Sequence, residues 1–334
     1  MDVSPNSPSP ASGPDSAAAP MPPVAAHTDR AFRFGTVAAM APDAKAWTGL
    51  ARRVEGLGFN TLLCPDNVGT LSPFAALTAA AVATSTIRLG TYVLAVPYRT
   101  PGTVAWESAS LDMLSEGRFE LGLGGGRPQA EAEAARLGMP FGTAGERIAA
   151  LIKTIEAVDA RFTDPNPQAE AQTQAQTQSQ SESSGRYSPP DPVRGVQRPR
   201  PPIMLACTGP RMLRVACEFA DIVALGLPPQ STEDDLAAKA DELRAISAEA
   251  FERLELAINI ALVGDQVPPW AAQWFNLDPQ ELLRIGAITA INGTARQMAD
   301  TLLRRRDRTG VSYITVNSMF AEQFAPVIEL LADA

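Results

Sequence analysis

Apolar residues alternate with polar or small ones in eight short runs: Phe32–Val37, Thr61–Cys64, Ile87–Leu94, Phe119–Leu123, Ile203–Ala206, Asp221–Leu225, Leu256–Val263 and Ser312–Val316. Period-two runs of this length predict strands. The segments between them carry apolar residues at helical spacing. Trp47, Leu50, Val54 and Leu57 form one face, and Gly58 marks its C-terminal stop. Met212, Val215, Ala216 and Phe219 form a second face, and Phe320, Phe324, Val327, Ile328 and Leu331 a third. Met298, Leu302 and Leu303 precede the eighth strand. Strand and helix alternating eight times predict a (β/α)8 TIM barrel. A doubly wound open sheet is the alternative, but it calls for a phosphate fingerprint after an early strand, and none is present.

Three stretches break the pattern. Residues 1–30 are rich in Pro, Ser and Ala and predict a disordered tail. Residues 164–184 are Gln- and Ser-rich and cannot bury apolar surface, so they predict a flexible surface insertion within one domain spanning 31–334. Residues 264–293 look irregular, with Pro268, Pro269, Trp270, Trp274 and Phe275, and predict an insertion near the barrel mouth.

In a barrel, chemistry gathers at the C-terminal ends of the strands. The fourth strand runs into Gly124, Gly125 and Gly126, bare backbone that a ligand or another strand can approach closely. The run is no dinucleotide fingerprint, since counting from Gly122 puts Arg127 where the third glycine belongs. Strand two ends in Cys64-Pro65-Asp66-Asn67. Asp66 is a candidate base or hydrogen-bond anchor, or simply a turn cap. Asn67 can orient a polar ligand but cannot shuttle protons. Strand three leads through Thr91, Tyr92 and Val93 to Tyr98 and Arg99. Arg99 and Arg127 suit an anionic ligand, or an ordinary salt bridge. Cys207-Thr208-Gly209-Pro210-Arg211 opens a helix, which fits a phosphate cradle or an ordinary Thr N-cap followed by Pro.

Composition narrows the classes. The formal net charge of −9, from 28 basic and 37 acidic residues, argues against a nucleic-acid partner. The local run Arg304-Arg305-Arg306 reads as the solvated face of a helix. The single histidine, His27, lies in the tail, and Cys64, Cys207 and Cys217 show no metal spacing. A zinc site, a Ser-His-Asp triad and a Cys-His pair are therefore not expected. No apolar run is long enough to cross a membrane and no basic n-region precedes an apolar stretch, so a cytoplasmic protein is expected.

Several strings resemble the luciferase-like, flavin- or deazaflavin-dependent oxidoreductase superfamily. They are Leu57-Gly58-Phe59, Pro65-Asp66-Asn67, Gly90-Thr91-Tyr92-Val93-Leu94, Leu111-Asp112-Met113-Leu114-Ser115-Glu116-Gly117-Arg118 with the glycine run, Asn292-Gly293-Thr294, and Thr309-Gly310-Val311-Ser312-Tyr313. The chain looks closest to the branch that uses coenzyme F420. The resemblance implies a TIM barrel holding F420, or alternatively FMN, at its mouth, and a small-molecule substrate. It implies a bulge at Tyr92–Val93, often with a non-proline cis peptide, behind the cofactor ring. Asp66, Thr91, Tyr92, Val93, Gly124, Gly125, Gly126, Cys207, Thr208 and Gly209 would bind the cofactor, Tyr98 and Arg99 the substrate, and Asn67 and Arg127 would be the catalytic candidates. Members are often dimers, so a homodimer is expected. The chain departs from the family where many F420-dependent members have Asp-His, since Asn67 follows Asp66 here. Leu71 stands where the sugar-phosphate dehydrogenase branch has Trp, and Arg127 where that branch has Glu. These departures keep three functions open: an F420-dependent hydride transfer, an FMN-dependent monooxygenase, and a catalytically silent barrel.

Overall fold

The computed structural model describes residues 30–127, 129–163, 193–264 and 279–332. The predicted tail up to residue 29, the Gln/Ser-rich insertion and residues 265–278 of the irregular stretch lie outside them.

The strands are β1 (Arg33–Val37), β2 (Thr61–Cys64), β3 (Arg88–Thr91), β4 (Leu94–Ala95), β5 (Phe119–Gly124), β6 (Ile203–Cys207), β7 (Ile222–Leu225), β8 (Glu255–Ile260), β9 (Leu262–Val263), β10 (Ala290–Ile291) and β11 (Val311–Asn317). The helices are α1 (Ala44–Gly56), α2 (Pro73–Ala81), α3 (Pro101–Leu114), α4 (Ala130–Arg136), α5 (Ala144–Phe162), α6 (Pro210–Phe219), α7 (Glu233–Ile246), α8 (Ala248–Arg253), α9 (Pro279–Arg284), α10 (Ala295–Thr309) and α11 (Ala321–Leu331).

All pairings are parallel. β1 pairs with β2 and β11, β2 with β3, β3 with β5, and β5 through β8 follow in order back to β11. The ring closes, and helices alternate with its strands: this is the predicted (β/α)8 barrel. Every position of β2, β5 and β7 is buried, because the barrel interior takes one face and the helices the other.

The helix boundaries have local causes. Asp43 caps α1 by accepting from the Ala46 amide, and Gly58 takes φ +84° just beyond its end. Thr143 with Glu146 and Thr294 with Gln297 form capping boxes that start α5 and α10. Within α10 the arginine run departs from its expected exposure. Arg305 and Arg306 are buried: Arg305 donates to the Ile288 carbonyl and Glu233, and Arg306 lies 4.6 Å over the Phe32 ring. At helical spacing these two turn toward the barrel, where backbone carbonyls, a carboxylate and a ring receive them.

Two breaks interrupt the predicted strands. Ile87–Leu94 divides into β3 and β4, and the peptide between Tyr92 and Val93 is cis, at the expected place. β4 then pairs with the end of β5. Gly122 is required here, because a Cβ on it would lie 2.0 Å from the Thr91 carbonyl oxygen. The predicted run Leu256–Val263 also divides, and β9 leaves the barrel to pair with β10.

Polar groups fill the N-terminal end of the barrel. Arg33 bridges Glu120 at 2.5 Å and Glu255 at 2.6 Å and sits 4.4 Å over the Tyr313 ring, while Arg88 also meets Glu120. Above them Leu63, Met204, Ile222, Ala224, Ala257 and Tyr313 form an apolar plug. The interior is therefore closed from below, and free volume is left at the C-terminal mouth.

Candidate functional site

A cavity of about 660 Å³ opens at the C-terminal ends of β2 to β6. Its floor is the Tyr92–Ala95 bulge, with Val93 packed against β5. One wall is the backbone of Gly124, Gly125 and Gly126. A Cβ on Gly124 would lie 2.8 Å from Val93 Cγ2, so that glycine serves the bulge. A Cβ on Gly125 would meet nothing within 4 Å, so its bareness serves the cavity instead. The end wall is the start of α6. Its N-cap is Gly209, with no side-chain capping bond and Pro at the first turn. The Thr N-cap reading is thus corrected, and the first-turn amides face an open space where a Cβ on Gly209 also meets nothing.

Of the residues expected at the site, Asp66, Asn67, Tyr92, Val93, Tyr98, Gly124, Gly125, Gly126, Arg127, Thr208 and Gly209 line this cavity. Thr91, Arg99 and Cys207 lie outside its lining. Thr91 Oγ1 is occupied by β5, accepting from the Gly122 amide and donating to its carbonyl, each at 2.8 Å. Cys207 points into the packing beneath α6, and burial pushes its thiol up to about 12. Arg99 lies behind the wall. Its guanidinium holds Asp66 at 2.6 and 3.2 Å, with Glu107 3.7 Å away. Asp66 also accepts from the Ala95 amide at 3.0 Å. The pair therefore locks the loop after β2 to the strand that follows the bulge.

A second cluster forms beside it. Arg127 Nη2 donates to Asn67 Oδ1 at 2.5 Å and to Glu133 Oε1 at 2.6 Å. Glu133 Oε2 accepts from the Tyr98 hydroxyl at 2.6 Å and the Val68 amide at 3.3 Å. Burial opposes the charge on Glu133, but these donors and the nearby Arg127 and Arg136 outweigh it and hold the carboxyl below its usual range. The Tyr98 phenol is pushed up, first by burial and then by its bond to that carboxylate. Tyr92 is half-buried with its hydroxyl 3.3 Å from Thr315 Oγ1, and desolvation pushes its phenol up as well. Burial, with Asp66 adding to it, raises the Cys64 thiol to about 12. Neither thiol supplies a proton near neutrality.

Two residues escaped the sequence reading as site residues, Glu133 and Arg147. Glu133 sits in α4, whose Ala/Glu pattern carries no signal for an inward carboxylate. Arg147, in the first turn of α5, donates to the Gly125 carbonyl at 2.7 Å and the Gly142 carbonyl at 2.8 Å, and stacks 4.2 Å over Phe141. It braces the glycine wall and lines the cavity. Arg211 lines the cavity at the start of α6 and takes no ion pair among the described residues. The charged lining is therefore Arg127, Arg147 and Arg211 against Asp66, which Arg99 already pairs. The mouth is cationic although the whole chain is acidic.

The site is thus a barrel mouth with a broken third strand, a bare-glycine wall and a helix start capped by Gly209. Residues 26–267 match the family model of the luciferase-like monooxygenases, and the chain belongs to that family, which places it among oxidoreductases. It is 32% identical over 189 residues to the F420-dependent glucose-6-phosphate dehydrogenase of Beutenbergia cavernae, a match covering 54% of this chain and 51% of that one. The chain thus spans about half the length of the curated relative it matches. The F420-dependent tetrahydromethanopterin reductase of Methanopyrus kandleri superposes with a TM-score of 0.64 at 17% identity, covering 90% of this chain and 98% of that one. The EDTA monooxygenase of a Chelativorans species superposes with a TM-score of 0.65 at 14% identity, covering 90% and 94%. These two likenesses show the shared barrel. Among the described residues no helix is long and apolar enough to cross a membrane.

Proposed function

We propose that this protein is an F420-dependent oxidoreductase that transfers a hydride between the reduced deazaflavin and a small organic substrate. The observation that carries the reading is the cavity itself: a bulge, a wall without side chains, and a glycine-capped helix start beside Arg211, which takes no ion pair among the described residues. A planar ring would lie over the Tyr92–Ala95 bulge, where Gly125 and Gly209 leave open the volume that side chains would fill. The amides at Thr208 and Gly209 and the cation of Arg211 suit a phosphate. Arg147 extends the cationic strip and favours F420, whose tail carries several anionic groups, over FMN, which carries one. The relative of known function that uses F420 supports the same choice.

When bound, such a cofactor supplies the hydride chemistry. The chain's own residues bind and orient. Tyr92 and Val93 back the ring, Asp66 fixes the bulge through Ala95 and Arg99, and Asn67, Tyr98 and Arg127 present polar groups to the substrate. Burial holds the thiols and phenols in their protonated forms near neutrality, so none of them serves as a base there.

A second reading, an FMN-dependent monooxygenase, is favoured by the family model and by the monooxygenase among the structural neighbours. Titrating the purified full chain with F420 and with FMN separates them. Binding of F420 in preference to FMN is the expected result. Preference for FMN, with oxygen consumed by the reduced complex, would establish the second reading. Binding of neither would leave a silent barrel.

A further inference from the structure

The cavity wall carries one cation whose purpose the cofactor reading does not use. Arg127 spends a single nitrogen on its two partners, since Nη2 makes both the Asn67 and the Glu133 bonds. Its Nε and Nη1 take no hydrogen bond among the described residues, and the side chain is 40% exposed at the cavity. The guanidinium is not loose. Glu133, 16% exposed, grips it from α4, and Glu133 is in turn fixed by the Tyr98 hydroxyl and the Val68 amide. Four segments meet at this carboxylate: the loop after β2, the turn at Tyr98, the loop after β5, and α4. Nη2 belongs to both paired-donor edges of the guanidinium, so Arg127 offers an anion a fixed positive charge with Nε and Nη1 as single donors.

We infer that Arg127 forms a substrate subsite for a carboxylate or a comparable planar oxyanion, and that Glu133 is its positioning residue and counter-charge. This deepens the function proposed above only in taking the anion to be the substrate's. Arg127 lines the same cavity as Arg147 and Arg211, so the mouth offers a cation beyond those assigned to the cofactor. Asp66, the other charged group on the lining, is spent on Arg99 and does not compete for Arg127. Glu133 has two separable roles. Its oxygen holds the guanidinium in place, and its charge offsets that of Arg127. A substitution that keeps the acceptor and deletes the charge should tighten anion binding, which a purely structural role would not do.

The test uses the full chain without cofactor, with cinnamate and its uncharged isostere cinnamamide as probes, read by calorimetry at low ionic strength. Cinnamate is expected to bind about tenfold more tightly than cinnamamide, the scale of one charge-assisted hydrogen bond. R127Q should abolish the difference; R127M, which keeps the stem packing, repeats the test if R127Q fails to fold. E133Q should strengthen cinnamate binding, because the amide oxygen still accepts from Arg127 while the negative charge is gone. E133A should bind it more weakly than E133Q, because Asn67 alone then holds the guanidinium. R211Q should keep the preference for cinnamate. Equal binding of the two probes by the wild type would overturn the proposal, as would a preference that survives in R127Q and R127M, or one that disappears in R211Q. E133Q binding cinnamate no better than E133A would remove Glu133 from its role. Titrating the wild type with F420 and FMN separately tells a failure of the cofactor reading from a failure of this one.

Discussion

Asp66→Ala should destabilise the fold through the lost pair with Arg99, and the size of the effect follows from the geometry. The substitution deletes two charge-assisted bonds to Arg99, at 2.6 and 3.2 Å, and one from the Ala95 amide at 3.0 Å. Asp66 is 6% exposed and Arg99 is 16% exposed, so neither partner regains full hydration. Breaking a buried pair by removing one member costs about 3–5 kcal/mol. Glu107, 3.7 Å from Arg99, remains as a partial counter-charge, which argues for the lower end, about 3 kcal/mol. That is roughly two decades in the folded-to-unfolded ratio. Urea unfolding of D66A, R99M and the double variant forms the assay, and a coupling of about 2 kcal/mol is expected for residues in direct contact. A coupling below about 0.5 kcal/mol would mean that the pair behaves like an exposed surface bridge, and the account of the locked bulge would fall.

Gly122→Ala should abolish soluble expression or cost more than about 3 kcal/mol, since its Cβ would meet the Thr91 carbonyl oxygen at 2.0 Å. Gly125→Ala should leave the melting temperature within about 1 °C, because its Cβ meets nothing within 4 Å, yet weaken cofactor binding about tenfold in a titration. Glu55 accepts from the amides of Ser85, Thr86 and Ile87 and from the Thr86 hydroxyl. Burial opposes its charge, but these donors lower its carboxyl from 4.5 to about 2. A depressed folded value means that its stabilisation is complete above about pH 4.5 and is lost as the pH falls toward 2, so thermal melts of E55Q should lack this component of the acid loss. Cys64 and Cys207, both raised to about 12 by burial, should resist iodoacetamide at pH 8 in the native protein, with Cys217 labelled first in a mass-spectrometric time course.

The barrel was readable from the chain because its cause is local and repeated. Eight buried strands alternate with helices, and each leaves a period-two run bounded by turn residues. The Ala-rich α2 was less visible, since it is apolar on more than one face and leaves no single stripe. The division of Ile87–Leu94 into β3 and β4 was not visible in hydrophobicity, which runs on through the bulge; the family strings supplied it. The arginine run in α10 misled for a related reason: three adjacent charges look solvated in sequence, but residues on different helix faces meet different surroundings.

The sequence by itself determined the layout of the cavity, because bare glycines, the Asp66-Asn67 turn and the Thr208-Gly209 helix start each follow a strand, and parallel strands in a closed ring must end on one side. Only the tertiary structure decided which side chains face that cavity and which are spent elsewhere. Arg99 and Arg127 look alike in sequence, each following a strand end by a few residues. One is consumed by a buried aspartate, and the other bonds through Nη2 alone among the described residues. The difference lies in partners 33 and 60 residues away in the chain, Asp66 and Asn67, which no local pattern records. Charge pairing is set by distance in space, and the closure of the barrel sets that distance.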